Sequence, residues 1–458
     1  MQPFDLDTLY PDHLQTLCQR AEIALARAHC TSLVIPSGVP LHQAFDDREY
    51  PFIVNPHFKT WVPLIHASDC WLVFTPGERP RLIFYQPNEI WNSQPRLPTE
   101  RWTDHFTIEI IRSAEQALAL LPKPVAHCAI IGPAHSALGP YIPNNPPAAL
   151  HLFAYRRAYK TPYELALMRR AQQRAVRGHD AITPLFHAGA SEFDLHLAYC
   201  AAVRQEGQTL PYDAIIALNR HAAVLHYLGR SCQPPTAHHS LLVDAGASEQ
   251  GYGAEISRTH AAHGHAEFQA LIAAVDTAQQ EICQRVVAGT AFVQLQRDAT
   301  LRLMEVLRDA GIITVSAATA LETGLSQVFF PHGLGHLLVA QVHDVGGLMA
   351  DEDGHLHPPP TAYPALRLTR TLAPNMVVTI EPGIYFIDHL LEKARASTLA
   401  ASICWHRVDA LKRYGGIRIE DNLICSEGAP ENMTRAAFSA AQVDRDQADA
   451  RAAPSSAT

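Results

Sequence analysis

The sequence predicts an α/β (α+β) protein with a small N-terminal α/β domain, residues 1–155, and a larger domain, residues 156–440. The chain of 458 residues is too long for one compact core, which favours two domains. Helical and strand-like apolar patterns alternate along the first domain. In the second, two pairs of helical segments are each followed by strand-like runs, which suggests an internal pseudo-duplication. Residues 441–458 have few apolar side chains to bury and predict a disordered tail.

The N-terminal domain begins with a predicted helix at 7–29, where apolar residues recur at helical spacing. A second helical stretch is predicted at about 105–121. Short apolar runs separated by Gly and Pro predict strands. These runs lie at 32–36, 71–75, 81–85 and 125–133.

Two capping patterns predict the first helices of the larger domain. TPYE at 161–164 places Thr at the N-cap, Pro at the first helical position and Glu two positions later, which is a capping box. SEFD at 191–194 predicts a second helix start of the same kind. Further helices are predicted near 265–288, 292–310 and 388–411, and strands within 212–260 and 328–425, with a polar loop at 350–361.

Composition disfavours several classes of partner. The formal net charge of −9 argues against nucleic acid or an anionic membrane surface. No apolar run reaches the roughly 18 residues of a membrane span, and the acidic N-terminal segment lacks the pattern of a signal peptide. The nine cysteines include no C-x-x-C pair, which favours reduced thiols. We therefore expect a cytoplasmic protein that binds neither nucleic acid nor membranes.

Five residues of the C-terminal half occur in contexts that favour metal binding. They are Asp244 in LLVDAG, Glu255 in GYGAEISRT, His336 in HGLGH, Glu381 in TIEPG and Glu420 in GGIRIEDN. The apolar runs beside the carboxylates predict partial burial, which is costly for a charge without a partner or a metal. Four carboxylates and one imidazole suit two hard divalent cations that activate water. The pattern therefore predicts a hydrolytic metal centre.

Each of these residues also has a simpler interpretation. Asp244 could face solvent at a strand end, and Glu255 could pair with Arg258. A histidine such as His336 is more often a structural residue than a ligand, and the chain has 26 of them. The five candidates taken together favour the metal site over these separate alternatives.

The motifs LLVDAG, GYGAEISRT, PHGLGH, TIEPGIY and GGIRIEDN together resemble those of the pita-bread metallopeptidases, which include aminopeptidase P, methionine aminopeptidase and prolidase. In the N-terminal domain, DDREYPFIVNPHFKTWVPL, CWLVF and RLIFYQP resemble the bacterial prolidase (Xaa-Pro dipeptidase) branch, which also contains organophosphorus acid anhydrolases. The similarity covers roughly residues 5–435. It implies a pita-bread catalytic domain, a homodimer, and an N-terminal domain that caps the substrate and takes part in dimerisation.

The resemblance implies two Mn²⁺ ions per subunit, or Co²⁺, Zn²⁺ or Fe²⁺ in their place. Asp244 would bind one ion, and His336 and Glu381 the other. Glu255 and Glu420 would bridge both ions. In this family a hydroxide between the cations attacks the scissile carbonyl, and Glu381 would shuttle its proton.

Residues around the metal centre also match positions with known roles in this family. His332 and His343 match histidines that contact the substrate or the tetrahedral intermediate. Arg418 matches an arginine that holds a substrate carboxylate. The other matching positions of the substrate pocket are Tyr212, Leu225 and His226.

One ligand position departs from the family pattern. Where the family has Asp as the second ligand, this chain has Glu255. The additional methylene pushes the carboxylate out by roughly 1–1.5 Å. Adjustment of the backbone or the rotamer could absorb this difference, or one metal site could be weakened.

The sequence thus predicts metal-dependent hydrolysis of Xaa-Pro dipeptides, with side activity on organophosphates as a further expectation. One alternative is an aminopeptidase P-like exopeptidase, which would release the N-terminal residue of longer Xaa-Pro peptides. Another is a weakened or inactive homologue that acts as a binding module because of Glu255. A serine or cysteine nucleophile is disfavoured, because the chain has no G-x-S-x-G motif and none of the five metal-site motifs contains a cysteine.

Overall fold

The computed structural model describes residues 5–91 and 93–452, with side chains up to residue 447. The described chain divides into two compact units. Unit 1 contains the residues up to Leu167 together with Gln250–Tyr252 and Met349–Leu356, and unit 2 contains the remainder. The division falls after Leu167, whereas the sequence analysis placed it at residue 155; the predicted domain bounds stay a proposal.

Unit 1 is built on one mixed sheet. Its strands are β1 (Ser32–Pro36), β2 (Trp71–Phe74), β3 (Arg81–Tyr85), β4 (Thr107–Ile111) and β5 (Cys128–Ile130), in the spatial order β4-β3-β2-β1-β5. Its helices are α1 (Leu6–Arg27), α2 (Pro56–Trp61), α3 (Ala114–Leu120) and α4 (Pro147–Arg156). β1 pairs antiparallel with β2 and parallel with β5, and β3 pairs parallel with β4.

Most elements predicted for this unit are confirmed, including α1 and the strands at 32–36, 71–75 and 81–85. The prediction of a single helix at about 105–121 is wrong, because Thr107–Ile111 forms β4 and only Ala114–Leu120 is helical. The segment TIEII pairs with β3, with Ile108 opposite Leu82, and this β-branched pairing outweighs the helical periodicity. The strand predicted at 125–133 is shorter, because β5 covers only three residues.

Helix α5 (Pro162–His187) begins in unit 1 and continues in unit 2. The other helices of unit 2 are α6 (Glu192–Val203), α7 (Ala266–Cys283), α8 (Phe292–Asp309), α9 (Ala317–Glu322), α10 (Ser326–Phe329), α11 (Asp388–Arg395), α12 (Trp405–Leu411) and α13 (Met433–Ala452). The later strands are β6 (Ile215–Leu218), β7 (Ser240–Asp244), β8 (Ser248–Glu249), β9 (Tyr252–Gly253), β10 (Ser257–Ala261), β11 (Val377–Ile380), β12 (Gly383–Tyr385), β13 (Gly416–Arg418), β14 (Asp421–Ile424) and β15 (Glu431–Asn432).

Three antiparallel sheets of unit 2 place strand ends close together. They have the orders β10-β7-β6, β11-β14-β15 and β12-β13. One buried cluster joins α5 and α6 to β6 and β7, and another joins α7 and α8 to β12 and β13. Each helix pair therefore has its own core beside its own strands, as the predicted pseudo-duplication requires.

The helix starts at Thr161 and Ser191 are confirmed by reciprocal capping hydrogen bonds with Glu164 and Asp194. The helix predicted at 388–411 is instead two α-helices, α11 and α12, separated around Ser397. The strand-like stretch from about 328 contains no named strand before Val377 among the described residues. Its Gly- and Pro-rich segments favour irregular backbone, and only isolated bridges form there.

The prediction of a disordered tail at 441–458 is wrong for residues 441–452, because α13 continues to Ala452. Ala, Arg and Gln have high helix propensity, and Gln442 donates to Asp446 one turn later. Residues 453–458 lie outside the described part of the chain. None of the described helices is long and apolar enough to cross a membrane.

Candidate metal centre

Four carboxylates lie at strand ends of unit 2. Asp244 is the last residue of β7, and Glu255 precedes β10. Glu381 lies between β11 and β12, and Glu420 between β13 and β14. Ser257 pairs with Asp244 across the sheet and forms an isolated bridge with Glu420. Strand pairing thus brings together carboxylates that are far apart in the sequence.

His336 joins this group through its ring. The backbone N–H of His336 donates to Thr379 Oγ1 at 3.0 Å, and the backbone carbonyl of His336 accepts from the backbone N–H of Thr379 at 3.0 Å. Ring Nδ1 donates to the Leu337 carbonyl at 3.0 Å, which leaves Nε2 as the nitrogen that can bind a cation once its proton is lost. Nε2 lies 3.1 Å from Glu255 Oε2 and 3.5 Å from Glu381 Oε1.

The donor atoms form three overlapping groups, and within each group all atoms lie within 4.8 Å of one another. The groups are Asp244–Glu255–Glu420, His336–Glu381–Glu420 and Glu255–His336–His343. The first two contain ligands that the resemblance implies for the two cations, with Glu420 common to both. Glu255 belongs to the first group but not to the second, although the resemblance implies that it bridges both ions. The third group was not predicted.

Buried atoms without partners indicate that these side chains fit divalent cations. Glu255, His336 and Glu420 are 7%, 2% and 1% exposed. Each has one buried atom without a hydrogen bond: Oε2, Nε2 and Oε1, respectively. Glu255 Oε2 and His336 Nε2 lie 3.1 Å apart and form an ion pair when the imidazole is protonated. Orphaned buried charges are costly, and convergent ones are the donors that a bound cation satisfies.

Burial and mutual repulsion shift the pKa values of this group. Burial, with the charge of Glu255 next, raises the pKa of Glu420 well above its usual range. Burial raises the pKa of Glu381 to about 7. Burial opposes protonation of His336, but Glu255 and Glu381 outweigh it and raise its pKa to about 9. Cations compete with protons for such groups, so cation binding is expected to release protons.

The Asp244 carboxylate is held by two residues that do not belong to the candidate ligand set. Its Oδ1 accepts from the Tyr212 hydroxyl at 2.8 Å, and its Oδ2 accepts from Arg418 Nη2 at 2.7 Å. Arg418 Nε donates to Ser257 Oγ at 3.1 Å, and Ser257 Oγ donates to Glu420 Oε2 at 2.8 Å. One buried arginine thus orients two carboxylates of the candidate centre, which is the role of outer partners in metal sites.

His332 is held in one neutral tautomer. Its Nδ1 donates to the Gly333 carbonyl at 2.8 Å, and its Nε2 accepts from the Tyr385 hydroxyl at 2.8 Å. The Tyr385 oxygen also accepts from Arg418 Nη1 at 2.9 Å. Burial, with the charge of Arg418 next, lowers the pKa of His332 to about 3. His332 therefore stays uncharged at neutral pH.

A cavity of about 460 Å³ opens above the centre. It is lined by every predicted site residue except Glu420, which is buried. The predicted residues along its wall are Tyr212, Leu225, His226, Asp244, Glu255, His332, His336, His343, Glu381 and Arg418. The structure therefore brings the whole predicted set together.

The simpler interpretations of two residues are wrong. Asp244 does not face solvent, because it is 8% exposed and accepts two buried hydrogen bonds. Glu255 does not pair with Arg258, because Arg258 Nη2 contacts Asp421 Oδ1 at 2.7 Å. Asp244 is thus not a solvent-facing residue, and Glu255 is not the ion-pair partner of Arg258.

Sequence reasoning did not identify three residues that support the centre. Ser257 and Asn422 follow Glu255 and Glu420 by two positions, and Tyr385 lies close after Glu381. Spacing by two places side chains on one face of a strand, so this signal could have found Ser257 and Asn422. Tyr385 carries no comparable signal, because its role depends on contacts with His332 and Arg418.

The sequence of the larger unit matches a known family. Residues 166–427 match metallopeptidase family M24, and residues 8–155 match the N-terminal domain of Xaa-Pro dipeptidase. The chain belongs to metallopeptidase family M24. It is therefore a metallopeptidase with a pita-bread catalytic domain, and membership implies divalent cations in the active site.

M24 relatives of high identity span nearly the whole chain. A Xaa-Pro dipeptidase of Xanthomonas axonopodis pv. citri is 56% identical over 436 residues, covering 95% of this chain and 99% of the relative. A Xaa-Pro dipeptidase of Stenotrophomonas maltophilia is 54% identical over 439 residues, with the same coverage.

Solved M24 structures share the fold. E. coli aminopeptidase P with the inhibitor Pro-Leu superposes with a TM-score of 0.69 at 19% identity, covering 95% of this chain and 99% of that one. Pseudomonas aeruginosa aminopeptidase PepP gives a TM-score of 0.69 at 18% identity, covering 94% and 99%. At this identity the likeness concerns the fold alone.

Proposed function

We propose that this protein is a metal-dependent Xaa-Pro dipeptidase. The observation that carries the proposal is the convergence of Asp244, Glu255, His336, Glu381 and Glu420 beneath one cavity, with unpartnered buried atoms on three of them. Identity of 54–56% to Xaa-Pro dipeptidases over 95% of the chain supports this substrate class.

Two Mn²⁺ ions, or Co²⁺, Zn²⁺ or Fe²⁺, are the proposed cofactors. Asp244, Glu255 and Glu420 would hold one ion, and Glu255, His336, Glu381 and Glu420 the other. When bound, such cations lower the pKa of a water molecule and polarise the scissile carbonyl. An oxygen-rich set with one imidazole is compatible with Mn²⁺.

Glu381 is the proposed proton carrier. Its side chain is 18% exposed and lines the cavity, whereas that of Glu420 is buried below. An Xaa-Pro bond is a tertiary amide whose nitrogen bears no hydrogen, so the leaving prolyl nitrogen must receive a proton. Glu381 Oε2 can take a proton from the attacking water and return it to that nitrogen.

Arg418 and the cavity wall are proposed to recognise the dipeptide. Three N–H groups of Arg418 are bonded to Asp244, Ser257 and Tyr385. A guanidinium has five N–H donors, so two remain for the substrate carboxylate. The exposed ring of His343 is proposed to contact the substrate or the tetrahedral intermediate. The remaining proposed contacts come from Tyr212, Leu225, His226 and His332.

The proposed assembly is a homodimer in the cytoplasm. Unit 1 exposes Phe45, Tyr50, Ile53, Ile90 and Trp91, a set of large apolar side chains that a protein interface would cover. All nine cysteines are unpaired, which supports a reducing compartment. A dipeptide with C-terminal proline is the proposed partner, and side activity on organophosphates remains a prediction.

Substrate length tests the proposal against an aminopeptidase P activity, for which the shared fold is the only support. With Mn²⁺ present, we expect hydrolysis of the dipeptide Ala-Pro and little release of Ala from the tripeptide Ala-Pro-Ala. Equal or faster cleavage of the tripeptide would favour the aminopeptidase. Cleavage of neither, with or without Mn²⁺, would favour an inactive homologue.

A further inference from the structure

We propose that Glu192 is a positioning residue that holds one wall of the catalytic cavity in its substrate-binding form. That wall is formed by residues 218–231, termed the wall segment. It carries Leu225, His226 and Leu228, which line the same cavity as the candidate metal ligands. Glu192 is not among the described residues that line this cavity. The inference rests on the proposed function, because it assigns Glu192 a part in binding the Xaa-Pro dipeptide.

The wall segment has little regular structure of its own. It begins at the end of β6, and only Asn219–Ala223 forms a short 3-10 helix. No named strand follows in the described chain before β7 begins at Ser240. The N–H groups of residues 225–230 donate to no backbone carbonyl of the described chain. Contacts with side chains must therefore hold this part of the wall segment in place.

The Glu192 carboxylate supplies these contacts. Glu192 is the first residue of α6 and is 1% exposed. Its Oε1 accepts from the backbone N–H of Leu218 at 2.8 Å and from His221 Nδ1 at 2.7 Å. Its Oε2 accepts from the Tyr227 hydroxyl at 2.7 Å and from the backbone N–H of Ser231 at 2.8 Å. A carboxylate accepts about four hydrogen bonds, so the wall segment alone saturates this one.

Tyr227 reaches the carboxylate by packing closely against its own segment. Its ring stacks on the His221 ring, with centroids 4.5 Å apart and an interplanar angle of 22°. A Cβ atom at Gly229 would lie 2.7 Å from the Tyr227 hydroxyl oxygen, so glycine leaves room for this ring. Burial, with the hydrogen bond to Glu192 next, raises the pKa of Tyr227 to about 13. The hydroxyl therefore keeps its proton and remains a donor.

Anchoring Tyr227 fixes the side chains beside it in the sequence. His226 and Leu228 flank Tyr227 and line the cavity, whereas the Tyr227 hydroxyl is bonded to Glu192. Leu225 also lines the cavity, and it packs with Tyr227 against one buried apolar cluster. Displacement of a binding group by about 1 Å is enough to weaken a site. Release of the wall segment from Glu192 is therefore expected to weaken substrate binding.

The wall segment affects binding rather than the chemical step. It contains none of the candidate metal ligands, and the proposed proton carrier Glu381 lies on another part of unit 2. A wall that contacts the substrate and the transition state equally changes KM and leaves kcat nearly unchanged. A residue that only stabilised the fold would instead lower the fraction of active protein, and hence kcat. The split between KM and kcat thus separates the two roles.

Steady-state hydrolysis of Ala-Pro by Glu192→Gln with saturating Mn²⁺ tests this inference. The amide has one acceptor oxygen in place of two, so donors of the wall segment lose their acceptor. We expect KM to rise about 10-fold and kcat to change by less than about twofold. Asp194→Asn is the matched control, because this carboxylate at the same helix start accepts from Ser191 and not from the wall segment. It should leave KM unchanged.

A second variant and a second measurement cover the case in which Glu192→Gln does not fold. Tyr227→Phe removes one donor and leaves the other bonds to Glu192 in place, so KM should rise by a smaller factor. Hydrogen exchange of residues 218–231, followed by mass spectrometry, needs no substrate. We expect faster exchange in Glu192→Gln and Tyr227→Phe, and exchange at the wild-type rate in Asp194→Asn.

An unchanged KM in Glu192→Gln and Tyr227→Phe would overturn the inference, as would an equal rise in Asp194→Asn. Hydrolysis of Ala-Pro by the wild type would in either case leave the proposed function intact. If the wild type hydrolysed no Ala-Pro with Mn²⁺, the proposed function would fail. Hydrogen exchange would then decide the positioning role alone, and wild-type exchange in both variants would overturn it.

Discussion

Glu420 illustrates at the scale of one residue how burial and metal binding are linked. Its Oε2 accepts from Ser257, whereas its buried Oε1 has no hydrogen-bond partner among the described residues. Burial and the charge of Glu255 raise its pKa, so the ionised form of Glu420 is disfavoured in the metal-free site. A divalent cation satisfies the unpartnered oxygen and offsets the repulsion, and the folded state is stabilised in proportion to that affinity.

The substitution Glu420→Gln should separate the effect of the buried carboxylate on the metal-free protein from the stabilisation that a bound cation provides. We expect the metal-free variant to melt at or above the wild-type temperature, because the amide replaces a carboxyl whose ionised form burial and Glu255 disfavour. Mn²⁺ at about 100 times its Kd should stabilise the wild type by about 2.7 kcal/mol and the variant much less. Thermal melts with and without Mn²⁺ measure this, with exposed Glu392→Gln as control. Full Mn²⁺ stabilisation of Glu420→Gln would contradict the assigned ligand.

His179 gives a prediction about pH. Its Nε2 donates to the Ala245 carbonyl at 3.0 Å, and its buried Nδ1 has no hydrogen-bond partner among the described residues. Burial lowers its pKa from 6.5 to about 3. Between these two pH values the unfolded chain therefore binds a proton that the folded chain does not. The contribution of His179 to the free energy of unfolding is present above pH 6.5 and is lost as the pH falls towards 3.

We expect His179→Gln to flatten the fall in unfolding free energy over that window, by at most about 1.4 kcal/mol per pH unit. Urea unfolding at pH 7, 5.5 and 4.5 measures the slope. His389→Gln, at an exposed ring, should leave it unchanged. An unaltered slope in His179→Gln would show that His179 is not the titrating group.

At the scale of elements, the metal centre depends on how β10 and β14 are joined. Asn422 on β14 bonds both the N–H and the carbonyl of Glu255, just before β10, and Ser257 bridges to Glu420. These contacts are made by buried polar groups, which lose free energy when a partner is removed. The residues that align the carboxylates are thus also residues that stabilise the strand ends.

Asn422→Ala is expected to lower the unfolding free energy by about 1–3 kcal/mol for each backbone group left unpaired. Exposed Asn88→Ala provides a matched control and should change it little. Urea unfolding of both variants provides the comparison. If Asn422→Ala were as stable as wild type, water would have to replace the side chain at Glu255.

Local patterns predicted the elements that depend on local interactions. The capping boxes at Thr161 and Ser191 start helices as expected, because a cap needs only neighbouring residues. The prediction failed at Thr107–Ile111, where pairing with a distant strand decides the structure. The candidate metal ligands could be selected from their motifs, whereas the link from Tyr385 to His332 exists only in the folded chain.

At the scale of the whole molecule, the proposed homodimer explains the exposed apolar residues of unit 1. Phe45 is fully exposed, and Ile53 and Trp91 are mostly exposed. Large apolar side chains that are exposed on a subunit can be covered at an interface. The sequence could not predict this exposure, because hydrophobic residues alone do not distinguish an interface from a core.

The double variant Phe45→Asp/Ile53→Asp should convert the dimer to a monomer, because interface apolar residues contribute most of the binding energy. Light scattering after size exclusion measures the mass. Leu197→Asp, on the exposed face of α6, serves as a control that should remain dimeric. A wild-type chain with the mass of one subunit would contradict the proposed assembly.

The most direct test of the central claim is the rate of Ala-Pro hydrolysis by chelator-treated protein as Mn²⁺ is added back. We expect almost no activity without metal, and a rise that saturates when two Mn²⁺ ions are bound per chain. Activity that persists in the chelated protein and does not respond to Mn²⁺ would contradict the account.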